Sequence, residues 1–251
     1  MLEIKNISKN FGGLRAVNNA SMKIEKGSIT GLIGPNGAGK TTLFNTIAGV
    51  YSPDEGEIFL ENQNITGLKP HNLFNKGILR TFQIAHEFST LTVLENLMMV
   101  PPNQYGENLI YAWFRNNDVK KQEEEIRTKA IEVIEFLNLN HLTQELAGNL
   151  SGGQKKLLEL GKVMMTNPKI VLLDEPAAGV NPTLMKKLAK FIKRLNQEKG
   201  YTFCIIEHDM DFISSLCDPV IVMTEGSVLT QGKIESIRSN KLVKDAYLGN
   251  K

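Results

Sequence analysis

A strand, a glycine-rich loop and a helix, consecutive between residues 28 and 48, constrain this chain more than any other feature. Ser28 to Ile33 reads as a strand and Thr41 to Ala48 as a helix. Between them lies Gly34-Pro35-Asn36-Gly37-Ala38-Gly39-Lys40-Thr41-Thr42, the pattern of a phosphate-binding loop. Glycines let the backbone curl so that successive N–H groups face one concavity. The helix N-terminus aims partial positive charge at the same spot. Lys40 adds a full charge for β- and γ-phosphates, Thr41 a hydroxyl for Mg²⁺, and Thr42 a donor for the α-phosphate. A glycine-rich turn that merely starts a helix is the bland alternative. The coincidence of motif and context argues against it.

The 251 residues allow one large domain or a core with a subdomain. A formal net charge of +2 is too small to argue for nucleic acid or a membrane surface. No apolar run reaches the ~18 residues needed to span a bilayer, and Met1 to Lys5 has no signal-peptide layout. Cys204 and Cys217 sit in apolar or strand-like surroundings without metal-ligand spacing, as buried free thiols of a cytosolic protein would. Any membrane connection is then expected through a partner.

Leu2 to Ile7 and Ala16 to Ile24 alternate apolar and polar residues around a turn at Phe11-Gly12-Gly13, as strands of a small antiparallel sheet do. Phe11, with Val17 beside it, is placed to stack on an adenine, or is simply a core aromatic. Glu57 to Leu60 reads as a short strand and Pro70 to Asn75 as a short helix. Leu79-Arg80-Thr81-Phe82-Gln83 reads as a strand ending at a polar residue. Gln83 there can reach Mg²⁺ or an attacking water; taken alone it would more often be a surface residue.

From Ile84 to about Leu150 the pattern turns helical. Ile126, Ala130, Val133, Ile134 and Leu137 mark an apolar face, and Glu123, Glu124 and Glu125 are expected in its first turn. This block reads as a helical subdomain inserted into the core. Tyr111-Ala112-Trp113-Phe114 is an exposed contact or subdomain core, with packing favoured. Ser151 and Gln154 make a capping box for the next helix. The consecutive Gly152 and Gly153 are poor helix formers, suited to close backbone approach to a ligand, so this helix start is also a candidate second phosphate site.

Ile170 to Leu173 is a continuous apolar run, a strand buried on both faces, and it delivers Asp174-Glu175. Adjacent carboxylates there are costly without a function. Asp174 suits Mg²⁺, through water or Thr41, and Glu175 an attacking water. Asn181 with Pro182 is ordinary helix capping. Tyr201 to Ile206 is a further buried strand, and it delivers His208 to the carboxyl edge where ligands bind. Pro219 to Met223 and Val228 to Gln231 read as a hairpin around Glu225-Gly226, before a helical end from Ile234 to Leu248.

The ordered set of Gly34–Thr41, Gln83, Leu150-Ser151-Gly152-Gly153-Gln154, Ile170–Glu175 and His208 resembles the ATP-binding subunit of ABC transporters over essentially the whole chain. More narrowly, Arg80 to Gln83, Glu175 to Pro182, Ile206 to Met210 and Ala246-Tyr247-Leu248-Gly249 resemble importer ATPases for branched-chain amino acids. Related ATPases for urea, short amides or lipopolysaccharide export share much of that wording. Soluble relatives acting on ribosomes or DNA usually carry two cassettes or a long coiled-coil insertion, and this chain has neither. One departure is Ala178-Gly179-Val180-Asn181, where the family usually has Ser-Ala-Leu-Asp, which puts the usual contacts of that loop in doubt at Ala178 and Asn181.

The resemblance implies an α/β fold: a RecA-like P-loop NTPase core with an N-terminal antiparallel β-subdomain and an inserted helical subdomain. Its expected boundaries are 1–84 and 155–251 for the core and 85–154 for the helical part. It implies ATP and Mg²⁺, and a head-to-tail dimer with an identical or related protomer. Ser151, Gly152, Gly153 and Gln154 of one protomer would meet ATP held by Gly34 to Thr42 of the other. It implies Mg²⁺ held by Thr41, Gln83 and Asp174, with Glu175, His208 and Gln83 in the catalytic set. The expected partners are integral membrane permeases and, indirectly, a solute-binding protein, with no nucleic acid. The chain would sit in the cytoplasm on the inner face of the membrane.

Overall fold

A computed structural model describes residues 1–81, 87–107, 113 and 116–248. The chain divides into two compact units, Met1–Gln83 with Pro168–Lys251, and Ile84–Asn167.

In the first unit, β1 (Leu2–Phe11) and β2 (Leu14–Ile24) form a hairpin whose turn is Gly12-Gly13. With β4 (Glu55–Leu60) and β5 (Gln63–Asn64) they make an antiparallel sheet of order β2-β1-β4-β5. Register sets Leu2 between Ile24 and Leu60, and Ile4 between Met22 and Ile58, so one face carries rows of buried apolar side chains.

The second sheet contains β3 (Ile29–Ile33), β6 (Ile78–Arg80), β7 (Ile170–Asp174), β8 (Thr202–Ile206), β9 (Val220–Thr224) and β10 (Ser227–Gly232). Its order is β10-β9-β3-β8-β7-β6, parallel except for β10 at one edge. Every residue of β3, β7 and β8 is buried, as the unbroken apolar runs require. Leu32 and Asp174 both pair with Ile206. The residues that follow these strands, Gly34, Glu175 and Glu207-His208, therefore emerge together at the carboxyl edge of the sheet. Asn181 caps the helix Pro182–Lys199, its Oδ1 accepting the Leu184 N–H at 2.9 Å.

The second unit holds helices Val93–Met98, Asn116–Phe136 and Gly152–Thr166. Ala130, Val133, Ile134 and Leu137 are buried, as the helical spacing predicts. Two expectations are corrected. The long helix begins at Asn116, so its first turn holds Asp118, and Glu123 to Glu125 lie further along it. Trp113 is 86% exposed rather than packed in a core. Tyr111, Ala112 and Phe114 lie outside the described residues. The sequence boundary at Gln154 falls inside the helix Gly152–Thr166, all of which belongs to this unit. Among the described residues no helix is long and apolar enough to cross a membrane.

Candidate nucleotide site

The loop after β3 opens α1 (Lys40–Ile47), whose N-cap Gly39 is left-handed at φ 91° and supplies no side-chain cap. Its first-turn N–H groups thus lack the usual side-chain acceptor, which is the condition for receiving an anion. A Cβ at Gly39 would meet the Ala16 carbonyl at 2.3 Å, and one at Gly34 the Met223 carbonyl at 2.1 Å. Both glycines are imposed by backbone packed against backbone.

The β9–β10 turn braces this loop. The Gly226 N–H donates to the Ala38 carbonyl at 3.2 Å, and the Gly226 carbonyl accepts from Asn18 N–H at 2.8 Å. The loop is thereby fixed to both sheets of the first unit.

A cavity of about 480 Å³ lies over the loop. Asn36 to Thr42 line it along one side, with Glu175 and His208, while Leu14, Arg15, Ala16, Glu225 and Gly226 complete the described wall. Lys40 is buried, its ammonium donating to the carbonyls of Gly34 at 2.8 Å and Pro35 at 3.0 Å. Burial lowers its pKa, while Glu175 and Asp174 pull it back up. Thr41 is exposed and lines the cavity.

Glu175 follows β7 with φ 50°, a left-handed conformation that non-glycine residues adopt rarely and often at functional sites. Its Oε1 lies 2.9 Å from His208 Nε2. Asp174 is buried and accepts from the Arg80 guanidinium at 2.9 Å; Arg80 also donates to Asn45 of α1.

The loop residues Asn36 to Thr42 thus stand together with Glu175 and His208. Phe11 and Val17 are not in the described lining. Phe11 is 41% exposed and meets Tyr51 edge-to-face at 5.0 Å, whereas Val17 is wholly buried in the core. Gln83 lies outside the described residues. Ser151 caps the helix of the second unit, accepting the Gln154 N–H at 3.4 Å while Gln154 Oε1 accepts the Ser151 N–H at 2.8 Å. A Cβ on Gly152 would stand in open space. Arg15 and Asn45 belong to no motif of the sequence, and Glu225 enters there only as a hairpin turn. Arg80 enters only as part of a motif.

A family model described as ABC transporter matches residues 17–178. The chain belongs to the ABC transporter family. This ABC cassette is an ATPase with an α/β P-loop fold. It is similar to a probable branched-chain amino acid transport ATP-binding protein, LivG, of Archaeoglobus fulgidus, at 45% identity over 99% of this chain and 95% of that protein. Among solved structures, an ATP-binding cassette of an ABC transporter in its ADP conformation matches at 39% identity and TM-score 0.84, covering 100% of this cassette and 99% of that chain. A dimeric ATP-binding cassette bound to ADP and Pi, in a post-hydrolysis state, matches at 26% identity and TM-score 0.75, covering 93% and 99%.

Proposed function

We propose that this cassette couples ATP hydrolysis to import of branched-chain or other hydrophobic amino acids, acting as one of two protomers beneath membrane permeases. The observation that carries the catalytic part is the contact of Glu175 Oε1 with His208 Nε2 at 2.9 Å, on the wall of the cavity over Lys40. Glu175 orients and deprotonates the attacking water, and His208 steadies the γ-phosphate. Lys40 exchanges loop carbonyls for phosphate oxygens, a stronger charge-assisted bond.

Mg²⁺ fits the donors present. Thr41 hydroxyl and Asp174 carboxylate are hard oxygen ligands, and Gln83 supplies a third in this reading. Among the described residues no group of three His, Cys, Asp or Glu could hold a metal. Mg²⁺ held by Thr41, Asp174 and Gln83 would supply charge neutralisation for the triphosphate.

The 480 Å³ cavity lies on the first unit, and Ser151 to Gln154 belong to the second. A second protomer placed head to tail brings its Ser151, Gly152 and Gly153 to this protomer's ATP, so that ATP is part of the interface and favours closure. The dimeric ADP-bound relative supports a second protomer. The relative named for branched-chain amino acid transport supports the cargo. The helical segment, 85–154 by the sequence boundaries, is the part that meets the permeases, holding the chain to the inner face of the membrane. Phe11 remains the adenine partner in this reading, with Val17 supporting the strand behind it.

Glu175→Gln is expected to retain ATP affinity while turnover falls about 100-fold, the range of a lost general base. With ATP it should elute from gel filtration as a dimer, and adding Ser151→Ala should weaken that dimer. Normal turnover in Glu175→Gln would remove the catalytic reading. Uptake of labelled leucine, measured with and without this chain in otherwise intact cells, tests the cargo; identical uptake would refute it.

A further inference from the structure

Glu207 precedes His208, and its side chain is one of few buried carboxylates in the first unit, 5% exposed. One oxygen crosses to the loop after Glu175 and the other turns back on its own loop. Oε1 accepts the Ala177 N–H at 2.6 Å, two residues beyond Glu175, and Oε2 accepts the His208 N–H at 3.1 Å. The Asp209 N–H also favours its charged form. The main chain adds one parallel tie, from Glu175 N–H to the Ile206 carbonyl at 2.9 Å. Burial and the nearby Glu175 charge push this carboxyl above the ordinary range, and backbone N–H groups oppose them.

A buried carboxylate held by backbone N–H groups is costly to place, and a side chain with one acceptor could satisfy only one of the two N–H groups. A fork with two acceptors ties the Glu175 loop through Ala177 and at the same time fixes the His208 N–H of its own loop. Glu175 itself sits at φ 50°, a conformation that persists where neighbouring structure over-determines it.

We propose that Glu207 is a positioning residue that sets the distance between the loops carrying Glu175 and His208. It is not in the described lining of the cavity; it acts through His208 and the backbone at Ala177. This inference rests on the reading of Glu175 and His208 as the working pair.

Glu207→Gln keeps the shape of the side chain but offers one acceptor in place of two. In steady-state ATP hydrolysis by this protein, kcat should fall about tenfold, the equivalent of one charge-assisted hydrogen bond, with ATP Kd changed less than about twofold. The same substitution in a His208→Ala background separates positioning from general stability, because residues acting through one another are not additive. There the Glu207→Gln effect should shrink to under about threefold. A full tenfold loss in that background, or ATP affinity falling in step with kcat, would overturn the proposal, since a merely structural role predicts either. A normal kcat for Glu207→Gln beside an impaired His208→Ala removes this inference alone. An unimpaired His208→Ala removes the parent reading, and this inference with it.

Discussion

Arg80 and Asp174 form an ion pair at 2.9 Å with both side chains largely withdrawn from water, 12% and 5% exposed. The pair joins neighbouring parallel strands, β6 and β7, in which Arg80 is in register with Leu172. The same guanidinium reaches Asn45 on α1. One side chain therefore ties the acidic strand end to the helix that follows the phosphate loop. Asp174 thus stands near Lys40 paired with Arg80 rather than as a bare strand end.

Removing one member of a buried pair strands the other charge. Arg80→Met is expected to lower the free energy of unfolding by about 3 kcal/mol. Arg80→Lys should recover part of this, since an ammonium lacks the fork that reaches Asp174 and Asn45 together. Urea unfolding of the three proteins measures it. A loss under about 1 kcal/mol in Arg80→Met would show that water already screens the pair.

Lys40 holds two loop carbonyls and faces the cavity floor. Lys40→Ala should weaken ATP binding about 100-fold, near 2.7 kcal/mol, through the lost phosphate contact. Titration calorimetry reads it directly. Unchanged affinity would count against the phosphate-loop assignment.

Gly34 and Gly12 both have positive φ, but only Gly34 is crowded, with the Met223 carbonyl 2.1 Å from a built Cβ. Gly12→Ala meets nothing within 4 Å and should cost about 1 kcal/mol from backbone conformation. Gly34→Ala should cost at least about 3 kcal/mol, because two main-chain segments must separate. Equal melting temperatures for the two variants would contradict the packing described here.

Cys204 and Cys217 are buried free thiols. Burial pushes the Cys217 thiol up to about 12 and Cys204 higher still. The reactive thiolate is therefore scarce at pH 8. Native protein should resist a chromogenic disulfide reagent for hours and release both thiols on unfolding. Stoichiometric labelling within minutes would refute that burial.

Much of the candidate site could be read from the chain because its parts are local. The phosphate loop, the capping box at Ser151 and Gln154, and the Asn181 cap each depend on residues within a few positions of one another. The unbroken apolar runs of β7 and β8 announced strands buried on both faces, so Glu175 and His208 could be placed at the carboxyl edge. Phe11 shows the limit. An aromatic at a strand end has no intrinsic partner, and here it meets Tyr51, a residue the sequence pattern did not connect to it.

By itself the sequence determined the elements and the chemical kinds of the groups at their ends, since backbone propensity, capping and side-chain periodicity act over one or two turns. Tertiary structure alone decided which of those groups meet. Strand order and register bring Arg80 to Asp174, Glu207 to Ala177, and the Gly226 turn to Ala38. Those partners are far apart in the chain, and no local interaction specifies them. They are chosen by the one arrangement that buries β3, β7 and β8 while leaving their polar ends a place to pair.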